Sequence, residues 1–109
     1  SEVCRAYGYS LDDSPFLYPV FVDQTKISCS VFDFAKAVLA EGIPLNPHYK
    51  YLVANWSFLH PYLAERVETP NARKVLDGSF ALYLHENYGE QEAKDCVAAI
   101  KKVEKFYQI

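Results

Sequence analysis

The chain has 109 residues, half of them hydrophobic and 16% aromatic, with a formal net charge of −3. That is one domain with enough apolar side chains for a core, which excludes a disordered segment. No Lys/Arg-rich stripe suggests nucleic acid, and no apolar run reaches the roughly 20 residues that span a bilayer.

Residues 1–15 show no period and hold turn formers in "YSLDDSP". "FLYPVFVD", Phe16 to Asp23, is a continuous apolar run, expected as a strand buried on both faces or nearly so. Pro19 lacks a donor and places an edge or a bulge there. "SVFDFAKAVLAEG" follows as a helix. Ser30 caps it, Val31, Phe34, Ala35, Val38 and Leu39 fall on one face, and Gly42 closes it in the left-handed conformation. "IPLN", Ile43 to Asn46, is a short strand candidate.

"PHYKYLVANWSFLHPYL", Pro47 to Leu63, gathers two histidines, three tyrosines, a phenylalanine and the one tryptophan. It has no single period. A short helix over Ser57 to Glu65 would put Phe58, Tyr62 and Leu63 on one face. "TPNARKVL" starts a helix, with Thr69 as cap and Pro70 at its first position, where the missing N–H costs nothing; Gly78 ends it. "SFALYLH", Ser79 to His85, alternates as a strand, and "ENYG" turns the chain. The last helix, "EQEAKDCVAAIKKVEKFY", has Ala93, Cys96, Val97, Ile100, Val103 and Tyr107 on its expected buried face. Its acidic residues stand near the positive end of the helix dipole and its lysines near the negative end. The order predicts an α+β domain of two layers, about three mainly antiparallel strands covered by helices.

Three cysteines, Cys4, Cys29 and Cys96, form no CxxC. An odd, scattered set is expected as reduced thiols in a cytoplasmic protein. His48, His60 and His85 match no metal-ligand spacing. The four glycines sit at element ends and form no phosphate loop. Trp56, Phe58 and Tyr62 are expected to pack, whereas His48 and Tyr49 follow a proline-bounded turn, where loops carry function. His85 is expected to hydrogen-bond the turn that follows it. Methionine is absent, so Ser1 is expected to mark a cleavage or cloning boundary.

"FDFAKAVLAEGIP", then "NPHY", then "PNARKVLDGSFALYLHENYGEQEAKDCVAAIKKVE" resembles the C-terminal domain of the DegT/StrS aminotransferases over about residues 16–107. These enzymes use pyridoxal phosphate to aminate nucleotide-linked keto-sugars and aminocyclitol precursors. The resemblance implies the small domain of a fold-type I aminotransferase. A large N-terminal domain would hold the cofactor and its lysine, and the parent would be a homodimer. The small domain would close one wall of the cleft and would be inactive alone, with no cofactor of its own. The resemblance gives His48 and Tyr49 a substrate-facing role. Where the family often has proline two residues after the histidine, this chain has Lys50 and then Tyr51. The alternative is a free-standing carbohydrate- or nucleotide-binding module using residues 48–62; a small thiol or metal enzyme is the third reading.

Overall fold

A computed structural model describes residues 1–49, 51–65 and 67–109. Four strands form one antiparallel sheet: β1 (Cys4–Ala6), β2 (Leu17–Val22), β3 (Leu45–Asn46) and β4 (Ser79–Tyr83), in the order β1-β2-β4-β3. Among the described residues three α-helices accompany it: α1 (Val31–Ala40), α2 (Pro70–Asp77) and α3 (Glu90–Tyr107). The expected α+β domain, helices on an antiparallel sheet, is the observed one, with β1 added in a segment that had shown no pattern.

Alternation along the strands decides which face holds the core. Val20 and Val22 of β2, Phe80 and Leu82 of β4 and Leu45 of β3 point the same way and are buried against α1 and α3. Phe34, Ala35 and Val38 of α1 are wholly buried there, and the Phe34 and Phe80 ring centroids lie 6.3 Å apart. The opposite register, Leu17, Pro19 and Phe21, is only half-buried. The expectation of a strand buried on both faces therefore holds for one face alone.

Pro19 sits in a strand with neighbours on both sides, yet it needs no donor. Its carbonyl accepts from the Tyr7 N–H at 3.2 Å just past the end of β1, so its imide nitrogen faces the same side, where the pairing is running out. The edge expected at Pro19 is thus a local one.

The helix ends follow their sequence signals closely. Ser30 accepts from the Asp33 N–H at 3.0 Å, and Gly42 has φ of 94°, the left-handed conformation that favours glycine. Thr69 occupies the cap position of α2 but makes no capping hydrogen bond, and its hydroxyl is buried without a partner among the described residues. At α3 the cap is glycine, and Glu92 closes the turn by accepting from the Gly89 N–H at 2.7 Å.

Two expected core faces are narrower than their periodicity suggested. Leu39 is exposed because it lies beyond the side of α1 that meets the sheet. Ala93 and Val97 are exposed because the buried side of α3 is centred on Ala99, Ile100 and Val103, and its first half overhangs the sheet. Ala93, Cys96 and Val97 instead line a cavity of about 550 Å³ with Tyr18, Leu82 and Tyr88.

The chain ends are tied together. Ser28 N–H donates to the Tyr107 carbonyl at 2.9 Å, and Ile109 N–H to that of Lys26 at 3.0 Å. Glu104 is buried on α3, and its carboxylate accepts from the Glu2 N–H at 3.0 Å and the Ser1 hydroxyl at 2.6 Å.

Candidate functional site

The half-buried side of the sheet carries a second cavity, of about 590 Å³. Pro19 and Phe21 form its floor, Ala72 and Val75 of α2 one side, and Tyr49 and Tyr51 another. Tyr7 closes it beyond the end of β1, with its ring centroid 6.4 Å from that of Phe21. The Arg5 guanidinium lies 5.0 Å from the Phe21 centroid, close enough for a cation–π contact. The Tyr49 and Tyr51 rings meet edge to face, 5.4 Å apart.

His48 and Tyr49 are neighbours in sequence and face different surroundings. Tyr49 lines the cavity and is 45% exposed. The His48 Nε2 lies 3.3 Å from Asp77 Oδ1, and its ring stands edge-on to Phe32, 6.4 Å away. Its backbone N–H donates to Asn46 Oδ1 at 3.1 Å, an Asx turn that fixes how the chain leaves β3. Asp77 is the last residue of α2, so the His48 contact fastens the exit of β3 to that helix. The turn thus presents Tyr49 to the cavity and engages His48 elsewhere. Lys50, where the resembled family often has proline, lies outside the described residues.

The aromatic stretch beyond Tyr51 is two 3-10 turns, Val53–Asn55 and Ser57–Tyr62, in place of the expected helix. Pro61 and the closely spaced turns prevent an α-helical ladder from extending. Phe58 and Tyr62 are 64% and 85% exposed, so the expectation that they pack in the core is corrected. Trp56 is half-buried and stacks on Phe58, with centroids 5.5 Å apart and planes inclined by 26°.

The other candidates behave as bystanders. His85 Nδ1 accepts from the Asn87 N–H at 3.1 Å, the turn contact expected of it. Burial pushes the Cys4 thiol up to about 11, with the Glu104 carboxylate adding to it; burial also raises Cys29 and Cys96. All three are free and are thiols rather than thiolates at neutral pH, a poor basis for nucleophilic chemistry. Among the described residues no three His, Cys, Asp or Glu side chains converge as metal ligands, and no helix is long and apolar enough to cross a membrane.

The resemblance implies pyridoxal phosphate, which needs an amine for its imine, an acid for its ring nitrogen and donors for its phosphate. Among the described residues lining the Tyr49 cavity there is no lysine, arginine or carboxylate. They do not fit the cofactor, although rings and hydroxyls of this kind suit the apolar faces and oxygens of a sugar. Sequence reasoning missed Arg5, Tyr7 and Phe21 here. The alternation of Leu17, Pro19 and Phe21 was the one signal available for the floor; Tyr7 reaches it through strand pairing alone.

What the fold and cavity define is a small α+β domain with α1 and α3 over one sheet face and an aromatic cavity beside α2 on the other. In comparisons with known proteins, no family model, no curated protein and no solved structure matches this chain.

Proposed function

We propose that this chain is the C-terminal small domain of a pyridoxal-phosphate-dependent aminotransferase of the DegT/StrS kind, aminating a keto-sugar or nucleotide-linked keto-sugar in the cytoplasm. The observation that carries the reading is the sheet face opposite α1 and α3. Beside α2 it holds an aromatic cavity into which the His-Tyr element sends Tyr49. A concave wall of aromatic rings suits a role in shaping a cleft. The cofactor, its lysine and its acid would belong to a large domain of the same enzyme, working as a homodimer. Tyr49 would touch the sugar, and His48, through Asp77, would hold the turn that presents it.

The test is the coding sequence upstream of Ser1 and the enzyme it encodes. A large domain with a Schiff-base lysine is expected. In that enzyme Tyr49→Ala should raise KM for the keto-sugar about tenfold, the loss of roughly one good contact, and leave the cofactor's visible absorbance unchanged. A start codon at Ser1, or a stoichiometric imine formed by this chain alone with pyridoxal phosphate, overturns the reading.

A free-standing carbohydrate- or nucleotide-binding module remains the second reading, favoured by one observation. Trp56 and Phe58 are stacked with Phe58 at the surface, a platform for a sugar or base ring. Titrating nucleotide-sugars should then quench Trp56 fluorescence saturably; a flat response removes this reading.

A further inference from the structure

The geometry points to a second interaction surface, on the exposed face of α3 that borders the 550 Å³ cavity, whose partner is a second copy of this chain. Six residues line one shallow groove there: Glu90, Ala93, Lys94, Val97, Ala98 and Lys101. All six are exposed, and Val97 is half in solvent although it is a β-branched apolar residue. They follow the spacing i, i+3, i+4, i+7, i+8 and i+11, which is one helical face.

This face is complementary to itself when reversed. Laid antiparallel on a second α3, Glu90 falls opposite Lys101 of the other copy, Ala93 opposite Ala98, and Lys94 opposite Val97. An isologous two-fold contact requires such reciprocity, and it repeats each pairing twice. The two alanines at the centre allow the helix axes to approach to about 8 Å, the near end of the packing range. The Lys94 stem covers Val97 while its ammonium stays wet. Lys94 Nζ already lies 2.8 Å from Glu90 Oε1, so the carboxylate is held in place to receive a second cation. Lys101 has no ion-pair partner among the described residues and can supply that cation. Antiparallel helix dipoles add to the attraction. The pairing stands apart from the reading above, because it uses the helix layer and not the aromatic face of the sheet.

Sedimentation equilibrium of the chain over a range of concentrations at low salt is expected to show a monomer–dimer equilibrium that weakens as salt is added. Lys101→Glu and Glu90→Lys should each raise the dissociation constant about tenfold or more, since two attractive pairs become repulsive. The double variant, with both charges exchanged, should restore the dimer. Circular dichroism of each variant checks that α3 is intact. A chain that stays monomeric throughout overturns the inference, as does a dimer indifferent to both single reversals or a double variant that stays dissociated.

Discussion

Phe34→Ala is expected to cost about 3–5 kcal/mol, a large share of the roughly 5–15 kcal/mol that holds a small domain folded. Phe34 is wholly buried, with Phe80 of β4 on one side and Tyr107 of α3 on the other. It is the side chain through which α1, the sheet and α3 share one core, so truncation leaves a void that three elements line and none can fill. Urea denaturation should show a much lower midpoint. Phe58→Ala is the control: that ring is mostly in solvent, and its loss should change stability by no more than about 0.5 kcal/mol. Equal losses from the two substitutions would show that the aromatic segment, and not α1, carries the core.

The second large effect is expected at Glu104, the one buried charged side chain among the described residues. Burial by itself pushes this carboxyl up. The Ser1 hydroxyl and the Glu2 and Val3 N–H groups outweigh it and hold the carboxyl below the usual range. Glu104→Ala should cost about 1–3 kcal/mol, because it strands those donors at the edge of the core. A folded-state pKa below the unfolded one gives stability that is fully present above the unfolded value, near 4.5, and is lost as pH falls through the folded value. The native chain should therefore lose stability in acid more steeply than Glu104→Gln, and the gap between them should narrow as pH falls below the unfolded value. Parallel pH–stability curves would remove Glu104 from the account.

The sequence carried the helices better than the faces they bury. Ser30 and Gly42 each act within a few residues, so their roles were legible: a cap needs only a hydroxyl and an N–H three residues on. The bounds of α3 were legible for the same reason. Which of its residues are buried depends on where the sheet ends, and that is set by pairing between strands far apart in sequence; so Ala93 and Val97 were assigned to a core they do not enter. β1 escaped notice because three residues are too few to make a pattern. Cys4, Arg5 and Ala6 become a strand by pairing with Val22, Phe21 and Val20. Tyr49 was found at the cavity and His48 was placed beside it, but one residue of chain can turn neighbouring side chains to opposite surroundings. The aromatic crowding after Pro47 suggested packing because rings are usually hidden; here a proline and two short turns keep them at the surface.

That segment has a consequence for how such a domain can change. Among the described residues from Pro47 to Val67 none is buried. Its two ends are moored, at one by the pairing of β3 with β4 and the His48–Asp77 contact, and at the other by α2, which starts at Pro70. Doubling the length of a loop between fixed ends costs only about 0.6 kcal/mol in closure entropy. Rings in this stretch can therefore be exchanged, added or deleted almost independently of folding. The core and the aromatic surface can then vary on separate terms: one stretch of sequence sets the scaffold, while another, hung from the same two anchor points, can be rewritten without disturbing it.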